Sequence, residues 1–249
     1  MLYVGTSSYS LKEWVGSFYP PQTPAREFLK YYASKLGTVE INYTYRHFPR
    51  DSTSASWADQ TPDSFRFSFK MHQSVTHIKR LKGVDDSISD FLKALEPLGP
   101  RLGVVLFQLP PSFRADLKLL EGILEKLPAG KKFAFEFRHP SWDNPDTLRL
   151  LEKAGVALCN AEPKIVEGTP VVTAPHAYIR VRQEPPYSEE ELKCLRKKIE
   201  QGVKEAEELY VHIKHDKAGL APEVAMQLQS RYRGTMDDRF AGRRDEKKL

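Results

Sequence analysis

Strict two-residue alternation of apolar and polar positions recurs along this chain, and it predicts most of the strands. In Phe133-Ala134-Phe135-Glu136-Phe137-Arg138 three phenylalanines point one way and Ala134, Glu136 and Arg138 the other. Pro140 cannot donate to a ladder, so that strand stops about there. Phe65-Arg66-Phe67-Ser68-Phe69-Lys70 repeats the arrangement, with Arg66, Ser68 and Lys70 on the polar face. Val39 and Ile41 oppose Glu40 and Asn42. Tyr178, Arg180 and Arg182 share a face, as do Tyr210, His212 and Lys214. Leu102 to Leu109 is a continuous apolar run ended by Pro110-Pro111, as expected of a strand buried on both faces. Leu2–Thr6 and Val156–Asn160 bring the strand-like runs to eight.

Helical stripes lie between most of them. Phe28, Leu29, Tyr32 and Leu36 form one after Pro24, stopped by Gly37. Others run from Asp51 or Ser52 to Gln60, from about Asp86 to Leu98, from Ala115 to Leu127, and from Asn144-Pro145 to Ala154 with Gly155 as its stop. Ser188 and Glu191 form a capping box for a helix to about Glu200. Ala221-Pro222 opens the last. Residues 161–176 are irregular. Alternation of strands and helices argues for a parallel sheet. Eight such units predict an α/β fold closed into a TIM-type (β/α)8 barrel, a single domain over residues 1–235. A doubly wound open sheet is the structural alternative. The charged tail, 236–249, is nearly devoid of apolar residues and is expected to fray.

Composition agrees with this picture. A length of 249 residues suits one barrel, and 40% hydrophobic residues suffice for a large core. The net charge of +5 comes from 38 basic against 33 acidic residues, a mixed surface and not a nucleic-acid arm. Cys159 in an apolar strand and Cys194 in a helical stretch read as reduced thiols. The sequence shows no export signal and no long apolar span, so the expectation is a cytoplasmic protein without membrane attachment.

The chemistry sits at the strand ends. The polar residues there are Glu40 and Asn42, Lys70 and His72, Gln108, Glu136 and Arg138, Asn160, Arg180 and Arg182, and Lys214 with Asp216. In a barrel these converge on one mouth. Charges facing inward must pair or bind something. The cations Lys70, Arg138, Arg180, Arg182 and Lys214 outnumber the carboxylates Glu40, Glu136 and Asp216. That surplus suggests an anionic ligand, phosphate or carboxylate, held by arginine forks. A self-satisfied ion-pair layer plugging the barrel is the competing reading.

Other chemistries find less support. The histidines and carboxylates show no fixed metal-ligand spacing, so no metal site is assigned; a divalent cofactor stays open but not favoured among the clustered cations. Ser7 and Ser8 are near no obvious His–Asp pair, and no Walker or dinucleotide loop occurs. Lys70 or Lys214 could form a Schiff base if desolvated beside another cation. The aromatics Tyr9, Trp14, Phe18 and Tyr19 of the first loop could stack on a ring or cap the barrel.

Val4-Gly5-Thr6-Ser7, Val39-Glu40-Ile41-Asn42, Leu106-Phe107-Gln108-Leu109-Pro110-Pro111 and Glu136-Phe137-Arg138-His139-Pro140-Ser141-Trp142 resemble the YecE-like family, the domain of unknown function number 72. The resemblance runs from Leu2 to about Leu228. It implies a TIM-type barrel and no established activity, and it points to Glu40, Asn42, Lys70, His77, Gln108, Glu136, Arg138 and His139. This chain departs from the usual family pattern at Tyr43-Thr44-Tyr45-Arg46, at Arg182-Gln183, at Lys214-His215 and at Glu162. The departures make the mouth more basic.

The leading expectation is an enzyme acting on a phosphorylated compound or a nucleic-acid phosphodiester, a phosphoester hydrolase being one form; the likeness to endonuclease IV is one of fold alone. Arg138, Arg180 and Lys214 would hold the anion, Glu136 or Glu40 would serve as base, and His77 as acid. Asn42, Gln108, His139, Arg182 and Asp216 would line the site. The alternatives are a non-catalytic protein that binds a phosphometabolite or nucleic acid, and a Schiff-base lyase using Lys70. Oligomeric state is left open.

Overall fold

In this computed structural model, which describes residues 1–245 and side chains through residue 232, β1 (Leu2–Thr6) pairs in parallel with both β2 (Thr38–Ile41) and β8 (Glu208–Ile213). That double pairing closes the sheet. Between them run β3 (Arg66–Lys70), β4 (Leu102–Gln108), β5 (Lys132–Glu136), β6 (Ala157–Asn160) and β7 (His176–Val181), each parallel to its neighbours in chain order. The open-sheet alternative is excluded.

Seven α-helices are described: α1 (Phe28–Lys35), α2 (Asp51–Asp59), α3 (Asp85–Lys93), α4 (Leu117–Leu124), α5 (Pro145–Ala154), α6 (Glu189–Glu205) and α7 (Leu220–Asp245). One follows each strand except β6, whose connection to β7 is the irregular 161–175 segment. Asn160 secures that segment by accepting from the Val171 N–H at 2.8 Å and donating to its carbonyl at 3.0 Å. At α5 and α6 local chemistry sets the helix ends as expected. Asn144 caps α5, Gly155 ends it with φ 63°, and Ser188 and Glu191 form the capping box of α6. The expected frayed tail, 236–249, lies outside the residues whose side chains are described. No helix among the described residues is long and apolar enough to cross a membrane.

The alternating pattern sorts residues into two buried layers. Phe67, Phe69, Phe107, Phe133 and Phe135 face the helices, and the rings of Phe107 and Phe135 stack at 4.9 Å. Each such ring contributes about 1.5–3 kcal/mol through burial. Inside the barrel lies a smaller cluster that includes Val104, Leu106, Ala134, Tyr178 and Tyr210. The N-terminal end of the barrel is closed by a Lys132–Glu208 ion pair at 2.7 Å, with the Tyr210 hydroxyl donating to Glu208 at 2.8 Å.

The first loop caps the barrel. Trp14, Phe18 and Tyr19 are buried, Tyr19 stacks on Phe28 of α1 at 4.2 Å, and the Trp14 indole donates to the Asp216 carbonyl at 2.7 Å. These rings are therefore closed to a ligand, and of the two expectations for them the cap is the correct one.

Candidate functional site

The C-terminal mouth gathers Glu40 from β2, Glu136 from β5 and Arg180 from β7, residues far apart in sequence. Alternation turns all three inward, and parallel pairing sets Arg180 level with His212 and Glu136 level with Gln108. Arg180 meets Glu40 through two nitrogens, Nη2 to Oε1 at 2.8 Å and Nε to Oε2 at 2.9 Å. Its Nη1 reaches Glu136 Oε2 at 2.5 Å. Arg138 Nε donates to the other Glu136 oxygen at 2.7 Å. The Tyr178 hydroxyl donates to Glu40 Oε2 at 2.8 Å and Asn42 Nδ2 to Oε1 at 2.9 Å.

Both carboxylates are buried and fully engaged. Burial alone would raise the Glu40 pKa, but the attraction of Arg180, helped by His212 and the hydrogen bonds, outweighs it and holds the group at about 2. Arg180 itself is held above its usual range: burial opposes the charge, and Glu40 and Glu136 more than compensate. Glu40 and Glu136 act here as counterions to Arg180 and Arg138, each of their four oxygens accepting at least one hydrogen bond. In part, then, the mouth is the ion-pair layer of the competing reading.

The layer does not use all the positive charge. Arg182 makes no ion pair among the described residues, and its one hydrogen bond is to the Ala161 carbonyl at 3.3 Å. Its pKa is lowered, by burial first and then by repulsion from Arg138. Arg138 spends only Nε on Glu136, and 28% of its side chain is exposed. Lys214 pairs with Glu184 at the half-exposed rim. Ser7, Asn42, Arg138, Arg180, Arg182, His212, Lys214 and His215 surround an open basin of about 310 Å³. A groove of about 450 Å³ between the α3 and α4 regions brings no strand tips together.

Lys70 stands beside this layer and makes no ion pair among the described residues. Its ammonium lies 4.1 Å from the centroid of the Tyr45 ring, and burial followed by repulsion from Arg180 lowers its pKa to about 8. His77 meets the same Tyr45 ring edge-on at 5.0 Å. Its pKa is lowered by burial and by Lys70, Arg138 and Arg80. Two groups with displaced proton affinities thus flank one ring at the edge of the mouth.

The remaining expected residues are elsewhere or occupied. Asp216 accepts the Leu220 and Ala221 N–H groups at the start of α7, so its carboxylate is a helix cap. His139 accepts the Ser141 N–H at 3.1 Å and orders a short turn. Gln108 is buried and donates to the Leu109 carbonyl at 2.8 Å. His72 is tied to Ser74 at 2.7 Å. Among the described residues no three His, Cys, Asp or Glu side chains are grouped to hold a metal.

Two features were missed. Ser7 Oγ lies 2.8 Å from His215 Nδ1, a pairing invisible across 208 positions of sequence. It is a dyad and not a triad, since Asp216 is turned to α7. His212 is buried beneath the basin, its Nε2 3.3 Å from Thr38 Oγ1 and its Nδ1 without a hydrogen-bond partner among the described residues. Burial, against the pull of Glu40, lowers its pKa to about 4, so it is neutral at pH 7. Its place on the inward face with Tyr210 and Lys214 was the available signal.

The family described as "Protein of unknown function DUF72" matches residues 3–246. The UPF0759 protein YecE of Escherichia coli O157:H7 is 32% identical over 184 residues, 71% of this chain and 63% of that protein. The UPF0759 protein YunF of Bacillus subtilis is 29% identical over 187 residues, 68% of this chain and 64% of that one. The chain thus spans less than two thirds of the length of these relatives. Among solved structures, a DUF72 family protein (TM1631) of Thermotoga maritima superposes with a TM-score of 0.80 at 30% identity, covering 92% of this chain and 98% of that one. Another (EF0366), of Enterococcus faecalis, gives 0.75 at 24% identity over 92% and 96%, a likeness of fold.

Proposed function

We propose a function from the geometry of the mouth, because this chain belongs to the DUF72 family of proteins of unknown function and inherits no activity from it. The reading is an enzyme that binds a phosphorylated compound and cleaves or transfers its phosphoester. The observation that carries it is the juxtaposition of Arg138 and Arg182 at an open basin, repelling one another, with Arg182 in no ion pair among the described residues and drawn only at longer range by Glu136. Holding like charges together is costly unless a ligand answers them. A phosphate group offers the oxygens to do so in bidentate fashion.

Lys70 and His77 supply the proton chemistry, with roles changed from those first expected. At pH 7 an amine of pKa about 8 is mostly protonated, whereas an imidazole lowered from its usual value is mostly neutral. His77 therefore takes the proton from an attacking water or hydroxyl, and Lys70 gives one to the departing oxygen. The new oxygen–phosphorus bond forms as the old one breaks, and Arg138 and Arg182 offset charge on the phosphoryl oxygens. Glu40 and Glu136 keep Arg180 and Arg138 in place.

The test is thermal-shift titration with inorganic phosphate, followed by hydrolysis assays on aryl phosphate mono- and diesters. Phosphate is expected to raise Tm. Arg138→Ala and Arg182→Ala should abolish the rise, and Lys70→Met or His77→Gln should remove turnover while keeping it. No rise with phosphate in the unaltered protein would overturn the reading. A rise without turnover would support the non-catalytic binding alternative.

One observation favours a second reading. A lysine desolvated beside Arg180, with its pKa at about 8, is suited to attack a carbonyl. Borohydride trapping of a carbonyl phosphate on Lys70 would support the Schiff-base lyase.

A further inference from the structure

The loops that follow β2 and β3 form one edge of the mouth and carry a feature that the phosphate reading does not use. Residues 42–50 and 71–84 contain Arg46, Arg50, Lys79, Arg80 and Lys82 and not a single carboxylate. All five side chains are exposed, and none makes an ion pair among the described residues. Some surface cations elsewhere do meet acids: Lys126 with Asp85, Lys153 with Glu121, Lys214 with Glu184. Of the acids bounding the two loops, Asp51 opens α2 and Asp85 is taken by Lys126.

Aromatic and apolar surface is interleaved with this charge. Tyr43 is 61% exposed, Ile78 71% and Phe48 38%. One face of Tyr43 is backed by the His47 ring at 4.4 Å and 16°. The two loops are packed into a single rim, since Tyr45 meets His77 and Phe48 meets His72 at 5.1 Å. The rim adjoins the mouth through Tyr45, whose ring meets His77 at 5.0 Å and carries the Lys70 ammonium at 4.1 Å.

We propose that this rim binds single-stranded nucleic acid, with phosphates along Arg46, Lys79 and Arg80 and a base stacked on Tyr43. Unpaired cations give affinity for a repeated anion, and exposed rings give a surface on which any base can stack. An acidic peptide would use the charge and leave the rings idle. The proposal rests on the mouth as a phosphate site, where one phosphodiester of the strand would sit, and it narrows the substrate class to a polynucleotide.

Fluorescence anisotropy with a labelled 12-residue oligothymidylate, at low and moderate salt, tests it. The unaltered protein is expected to bind with affinity that falls steeply with salt. The triple variant Arg46→Gln, Lys79→Gln, Arg80→Gln should weaken binding by about tenfold or more and reduce the log–log salt slope by about 2. Tyr43→Ala should weaken binding by about tenfold with the slope unchanged. Neither variant touches the basin, so both should keep the thermal shift with inorganic phosphate, which also certifies folding. Absent binding, equal binding by the triple variant, or equal competition by polyglutamate would overturn the proposal. Tighter binding of duplex than of single strand would do the same. If the oligonucleotide binds at the rim but phosphate produces no shift, the mouth reading fails and the rim stands.

Discussion

Arg180 and Glu40 form a bidentate pair at 2.8 and 2.9 Å across the barrel, although 140 positions separate them in sequence. The same guanidinium also neutralises Glu136, so one arginine supports two buried carboxylates.

Replacing Arg180 by Met should therefore be severe. It would leave the buried Glu40 without its counterion and Glu136 with Arg138 alone, with a loss of about 3–5 kcal/mol in unfolding free energy. Urea denaturation measures this. A loss below about 1 kcal/mol would show that the layer is wet and the pairs weak.

Acid should destabilise the protein in two stages. His212 is neutral when folded, with a pKa of about 4 against the usual 6.5, so the unfolded chain binds the extra proton between those values and stability falls as pH drops through them. Glu40 lies at about 2 against 4.5, so its contribution, about 3 kcal/mol, is present above 4.5 and is lost from there down toward 2. His212→Gln should flatten the stability curve between pH 6.5 and 4 and leave the lower stage intact. Unfolding measured across that range in both proteins decides it.

Lys70 should react with amine reagents at a lower pH than an ordinary lysine amine. Half-maximal modification near pH 8, read by peptide mass spectrometry, is expected from its lowered pKa. Inorganic phosphate in the basin would favour the charged amine and move the midpoint upward. A midpoint shared with the surface lysines would contradict the assignment.

Asp216→Ala should cost about 1–2 kcal/mol, because it deprives the Leu220 and Ala221 N–H groups at the head of α7 of their acceptor. The phosphate shift should survive. If it vanished at unchanged stability, Asp216 would belong to the ligand site after all.

The barrel and the inward face of Glu40, Glu136 and Arg180 were readable from the chain alone, because a period of two assigns a side and proline, glycine and capping residues assign the ends. Glu40, Glu136 and Arg180 were legible as mouth residues on that ground alone. Which of them pair, and what is left unpaired, depends on how the strands close on one another. Alternation says that Arg180 points inward; closure of the sheet brings it to Glu40 on the far wall and leaves Arg182 in no ion pair among the described residues. The capping of α7 by Asp216 and the meeting of Ser7 with His215 were likewise hidden, since both depend on loops folding back over distances that no local pattern encodes. Proton affinities followed the same division: the residue types were plain in the chain, but burial and neighbouring charge, which displaced Lys70, His77 and His212, are properties of the assembled mouth.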